Sequence, residues 1–303
     1  MTKFPKKFHS LLALPFLLLS ACGGSQGAVD AEPAVKAPAL YQVSDDDTTI
    51  YVLGTVHLLP DDLVWFEDSI KTAFEASDEL VLEMVEPDPA TMQGLVMQIA
   101  VDPTGKTLRS YLDDELKASY EERLTSIGMN PAALDPFEPW MASVTMSAMQ
   151  MQTIGLNPES GVETVLTGMA NEVGKPILGL ETAAEQLGFL DNLLKDAQVI
   201  MLKSGIEDWD EGAALVQDMI VDWKDGDVDG LTDLMNEAME GQPELTKALL
   251  TNRNARWSEW VQTRLETPGT VFIAVGAGHI GGEDGLLDLL ADDGVKAVRV
   301  VAE

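Results

Sequence analysis

Two apolar, β-branched runs, at residues 48–53 and 270–275, each stop at a glycine. Each glycine is followed three residues later by a histidine: Gly54-Thr55-Val56-His57 and Gly276-Ala277-Gly278-His279. Such runs read as buried strands. A glycine at a strand end lets the backbone turn sharply and project the next side chains over the strand's carboxyl edge. In open α/β sheets that edge is where ligands bind. If the two strands are neighbours, two imidazoles meet there although most of the chain separates them. The third histidine, His9, lies in the N-terminal segment.

The remaining pattern supplies a sheet and its cover. Further strand candidates fall at 39–43, 79–85, 176–180 and 295–301. Helical periodicity occupies 66–76, 161–173 and 182–194, and a further helix starts at 285. Helical character also runs through 90–155, with breaks at Asp102-Pro103 and Asp135-Pro136. It resumes over 196–265, with breaks at Asp225-Gly226 and Gly241-Gln242-Pro243. The four methionines of 141–151 suit the interior of a core helix, since methionine fills irregular gaps. With strands at both ends and in the middle, the predicted fold is α/β. It has a central mixed, mostly parallel sheet flanked by helices, with a large helical insertion, as a single domain over 40–303.

Ahead of that domain, Lys3, Lys6 and Lys7 precede an apolar run at 11–19 and the small residues before Cys22. This is the layout of an export signal over 1–21. The tetrapeptide Leu19-Ser20-Ala21-Cys22 resembles a bacterial lipobox, in which the cysteine becomes a lipidated N-terminus. The other reading is an ordinary signal with a chance cysteine. Cys22 is the chain's single cysteine, so the folded part has neither disulfide nor thiolate chemistry. Residues 22–39 read as a flexible, lipid-anchored tether. The expected location is the cell envelope, held to the membrane through the lipid on Cys22. Glycine at position 23 suits the periplasmic side of the outer membrane, if the source is Gram-negative.

Charge removes one class of partner. Asp and Glu number 51 against 19 Lys and Arg, for a net charge of −32. Phosphate binding needs a basic footprint, so nucleic acid is not expected. The acidic surface bears on solubility and association rather than on fold.

A site built on His57 and His279 also wants carboxylates. Glu83 lies inside the apolar strand Leu80-Val81-Leu82-Glu83-Met84-Val85, where a charge is costly unless paired or ligated. Glu181 ends the next strand and precedes a helix, where an acid is favourable anyway. Arg253, Arg256 and Trp257 share one helical face, beside Asn254. Arg253 is expected either to grip a substrate carboxylate or carbonyl oxygen or to form a structural salt bridge.

Together these residues resemble the TraB/GumN family, which is related to the Tiki metalloproteases and distantly similar to erythromycin-esterase-like hydrolases. The resemblance rests on Gly54-Thr55-Val56-His57 and Leu80-Val81-Leu82-Glu83. It continues through Gly174-Lys175-Pro176, Gly179-Leu180-Glu181-Thr182 and Gln186-Leu187 to Arg253-Asn254 with Trp257. It ends on Val275-Gly276-Ala277-Gly278-His279 with Gly282, Asp284-Gly285 and Leu289-Leu290. It implies activity at His57, His279 and Glu83, and dependence on a divalent metal such as Mn, Co or Zn.

Three readings follow. In the first, a metal-assisted hydrolase acts on a peptide or other small amide or ester outside the cytoplasm. His57 and His279 hold the metal, Glu83 is a third ligand or the base, and Arg253 or Asn254 orients substrate. In the second, no metal is used: His57 is a general base oriented by Glu83, with His279 and Arg253 stabilising charge. In the third, the protein binds a peptide without turnover.

Overall fold

The computed structural model describes residues 36–301. The export signal expected over 1–21, the lipid anchor expected at Cys22 and residues 22–35 of the expected tether lie outside the described residues.

Six strands form one sheet: β1 (Leu40–Ser44), β2 (Thr48–Thr55), β3 (Glu79–Met84), β4 (Ile177–Glu181), β5 (Gly269–Gly276) and β6 (Ala297–Arg299), in the order β4-β3-β5-β2-β1-β6. β2, β5, β3 and β4 are parallel, whereas β1 is antiparallel to both β2 and β6. The sheet is therefore mixed and mostly parallel, as the sequence predicts. The helices are α1 (Asp68–Ala76), α2 (Pro89–Ile99), α3 (Asp114–Ser126), α4 (Pro139–Thr153), α5 (Val162–Val173), α6 (Ala183–Asp191), α7 (Lys195–Glu207), α8 (Trp209–Asp225), α9 (Val228–Ala238), α10 (Pro243–Thr246), α11 (Asn252–Leu265) and α12 (Leu286–Asp292).

Inner parallel strands are covered on both faces, which is why they read as unbroken apolar runs. One face sets Leu53, Leu80, Leu82, Phe272 and Ala274 against Phe74 of α1, Leu166 of α5 and Trp223 of α8. The other sets Val52, Val81, Val271, Ile273 and Val275 against Trp257 and Val261 of α11 and Leu286 and Leu290 of α12. Each fully buried Val, Leu, Ile or Phe among them contributes about 1.5–3 kcal/mol. A separate core under the insertion joins α3, α4 and α7 through Tyr120, Leu124, Met146, Leu202 and Ile206. Of the four methionines expected in the core, Met146 and Met151 are buried and Met141 and Met149 half-buried.

Several boundaries move by a few residues. β2 continues through Gly54 to Thr55, because Gly54 and Thr55 still pair with Val275 and Gly276 of β5. β4 runs Ile177–Glu181 against the predicted 176–180, with Glu181 ending it as expected. The helix expected over 182–194 is α6, ending at Asp191 and begun by a Thr182–Glu185 capping box. A π-helical turn, Lys247–Thr251, leads into α11; periodicity gave no sign of it. Among the described residues, no helix is long and apolar enough to cross a membrane.

Candidate functional site

Because β2 and β5 are paired in parallel register, His57 and His279 emerge from adjacent strands at the same carboxyl edge. β3, on the other side of β5, brings Glu83 to that edge, and β4 brings Glu181. The motif glycines act through space rather than through a sharp turn. Neither has a positive φ. A Cβ on Gly276 would stand 3.0 Å from Glu83 Oε1 and 3.4 Å from the His279 ring, and one on Gly54 would press on the Ala277 backbone at 3.0 Å. The absent side chains are what allow the carboxylate, the imidazole and the Ala277–His279 turn to crowd together.

Around His279 the groups form a closed cage. Asn254 on α11 donates from Nδ2 to the Asp284 carbonyl at 2.8 Å, so its Oδ1 faces His279 Nδ1, 2.6 Å away. His279 therefore carries its proton on Nδ1 and turns a lone pair inward at Nε2. Arg253 Nη1 lies 3.1 Å from that nitrogen and donates to it. The same guanidinium bonds Glu181 through Nε at 3.0 Å and through Nη2 at 2.8 Å, the Leu249 carbonyl at 3.1 Å, and Glu83 through Nη2. All five of its N–H bonds are used. Trp257 and Phe189 lie against it, with ring centroids 4.6 and 5.5 Å from Cζ. Glu83 also accepts from Gly276 N at 2.7 Å and Gln186 Nε2 at 3.1 Å.

Burial alone would raise the Glu83 carboxyl. The nearby charges of His279, Arg253 and His57, together with the Gly276 N–H, overcome it and hold the group down at about 2. His279 is pushed down to about 4, first by burial, with the Glu83 charge opposing. It is thus neutral at pH 7, when the balance of the Glu83 charge falls to Arg253.

His57 has different surroundings. Its side chain is 65% exposed, and its Nδ1 lies 2.8 Å from Glu163 Oε1. The Thr55 hydroxyl donates to the same Glu163 oxygen. The hydrogen bond to Glu163 and the charge of that residue raise His57 to about 9 against the opposing effect of burial, and the ring's contact with water screens part of this pull. Glu163 itself, which burial would raise, is lowered by the His57 charge and by the hydrogen bonds it accepts. Glu163 is in the first turn of α5, whose start is fixed to His57: Val162 N donates to the Val56 carbonyl at 3.1 Å. Any side chain at Gly161 would collide with the His57 carbonyl.

Glu163 went unrecognised as a sequence candidate, because an acid near a helix start is ordinary. The close spacing of Gly161 and Glu163 was the available signal. Two other expectations change. Glu83 does not orient His57; Glu163 does. Arg253 and Asn254 are not free to grip substrate, because every polar hydrogen of Arg253 and both polar atoms of the Asn254 amide are bonded within the cage. The salt-bridge reading of Arg253 is the one observed. Arg256 also reaches Glu181, at 2.9 Å, and stays half exposed.

The donors do not suit a divalent metal in this arrangement. Among the described residues, no group of three His, Cys, Asp or Glu side chains converges to hold an ion. His279 Nε2, Glu83 and Glu181 all face the Arg253 guanidinium, and His57 pairs with Glu163 instead. His57, Glu83, Met84, Glu163 and Gln186 line an open cleft of about 350 Å³. An adjoining cleft of about 400 Å³ runs past Leu95, Gly179 and Thr182 and shares Val85 with the first.

Fold and site together define an α/β protein whose parallel-sheet edge carries a buried arginine–carboxylate cage beside an open carboxylate–imidazole pair. The chain belongs to the TraB/PrgY/gumN family, whose model matches residues 39–299. It is 24% identical to the uncharacterized protein YbaP of Escherichia coli (strain K12), over 84% of this chain and 92% of that one. It is 25% identical to YbaP of Shigella flexneri, over 79% and 87% of the two chains. An uncharacterized protein of Treponema pallidum (strain Nichols) is 24% identical over 92% of this chain and 88% of its own. No solved structure matches the chain.

Proposed function

We propose that the protein is a cell-envelope hydrolase of peptide bonds or related amides and esters, with His57 as the base that activates water. The observation that carries this reading is the Glu163–His57 pair opening on the cleft. Glu163 holds Nδ1, so in the neutral ring the proton sits there and the lone pair is at Nε2. Nε2 takes a proton from water as the oxygen attacks the substrate carbonyl. It then gives that proton to the departing amine or alkoxide as the carbonyl–heteroatom bond breaks. Glu163 and the permanently ionised Glu83 both favour the imidazolium that forms between these steps. The adjoining cleft along β4 has room for chain on one side of the scissile bond.

The pH dependence follows from this chemistry. Only neutral His57 can take the proton, and the group is raised to about 9, so kcat/KM climbs with pH toward that value. Glu163→Gln brings this limb down toward 6.5, the unperturbed histidine value, and His57→Ala lowers kcat by about 10²–10⁴-fold. Fluorogenic peptides and nitrophenyl esters serve as probes. Full turnover in His57→Ala, or a pH limb indifferent to Glu163→Gln, would end this reading.

A further inference from the structure

We infer that the Arg253 guanidinium is the resident cation of this site. It fills the space between Glu181 and two of the ligands the metal reading would use, His279 Nε2 and Glu83, and it keeps metal out. Three observations converge on this. First, His279 is set up as a ligand would be, with its tautomer fixed by Asn254 and its Nε2 lone pair aimed inward, yet that lone pair accepts an arginine N–H at 3.1 Å. Second, two buried carboxylates face one buried guanidinium, with Arg256 reaching Glu181 from the rim. Charge is already balanced, so a dication would add unpaired positive charge to a buried site. Third, arginine cannot vacate the position by losing a proton, as a lysine or histidine could. It would have to leave Glu83, Glu181, His279 and the Leu249 carbonyl together, from between Trp257 and Phe189. The π-helical turn just before α11 presents that carbonyl to the guanidinium.

The test uses the full-length chain with ¹⁵N-labelled histidine, titrated with Co²⁺, Mn²⁺ or Zn²⁺, alongside equilibrium dialysis with elemental analysis. In the wild type, His279 keeps its Nδ1–H signal without paramagnetic shift or broadening, and His279→Ala removes no bound metal. Metal retained at the surface or at His57 is unaffected by His279→Ala and is consistent with the inference. Arg253→Ala opens the position: it gains about one metal per chain, loses it again when combined with His279→Ala, and melts at a higher temperature with metal present. If Arg253→Ala does not fold with or without metal, the wild-type titration decides. One equivalent bound by the wild type and lost in His279→Ala overturns the inference, as does a folded Arg253→Ala that takes up none. These readouts are independent of turnover at His57, so the hydrolase reading and this one fail separately.

Discussion

His57 and His279 follow neighbouring parallel strands in the same Gly-x-x-His setting, yet one is buried and neutral at pH 7 while the other is exposed and favours its proton. The difference comes from the helix over each ring. α11 covers His279 with Trp257, at a ring separation of 4.4 Å, and uses up both ring nitrogens through Asn254 and Arg253. α5 offers His57 a single carboxylate and leaves the ring open to the cleft. The local motif puts an imidazole at the sheet edge, and a helix distant in sequence decides whether it can exchange a proton. A group with both nitrogens committed is architecture, whereas a group with one nitrogen open to a cleft is available for chemistry.

The largest separation between the two should appear in stability. Arg253→Ala leaves Glu83 and Glu181 buried without their main cation and costs about 3–5 kcal/mol. His57→Ala removes a solvent-screened partner of Glu163 and costs less, about 1 kcal/mol. Urea unfolding of both variants reads the contrast directly, and comparable losses would erase the distinction between cage and open pair.

A smaller effect is acid sensitivity. Unfolded, His279 takes its proton near 6.5; folded, near 4. As pH falls below 6.5 the unfolded chain binds that proton first, so stability declines until pH 4, by about 3 kcal/mol at roughly 1.4 kcal/mol per unit. Glu83, depressed from 4.5 to about 2, extends the loss to lower pH. His57 acts in the opposite direction: its contribution is complete below 6.5 and fades as pH rises through about 9. Urea midpoints between pH 4.5 and 6.5 should fall steeply in the wild type and less steeply in His279→Gln. An unchanged slope in the variant would place the acid sensitivity elsewhere.

The sheet edge was legible in the sequence because its parts are local. A β-branched run that stops at glycine, and a glutamate inside an apolar strand, each announce themselves within a few residues. Glu83, Glu181, His57 and His279 were all found this way, and the α/β class followed from strand runs alternating with helical blocks. What stayed hidden were the partnerships. Arg253 reads equally well as a substrate clamp or a salt bridge until α11 is seen lying on the face with Val81 and Glu83. Glu163 looks like any first-turn acid until the backbone contact between Val162 and Val56 brings α5 onto the His57 loop. Gln186 carried the resemblance without a role, and its bridge from Glu83 to Glu181 depends on how α6 docks. Pairings between helices far apart in the chain are set by packing, which periodicity reports only as a buried face.

The finest test of the contrast is at Thr55, the last residue of β2. Its hydroxyl is buried and donates to the Glu163 oxygen that also faces His57 Nδ1. Thr55→Val keeps the shape and removes that donor, leaving the Glu163 charge to be answered by His57 and its own backbone N–H. The stability loss should be about 1–3 kcal/mol, the cost of a lost hydrogen bond at a buried acceptor. The more telling outcome is electrostatic. With one fewer donor on Glu163, the pull on the His57 proton strengthens and its titration moves up, while Glu163→Gln moves it down. His279 should not respond to either change, because its nitrogens are held by α11. Ring-proton NMR titration of both histidines reads all of this in one experiment. A matching shift at His279 would mean that the open pair and the closed cage titrate as a single unit, and that the boundary drawn between them is misplaced.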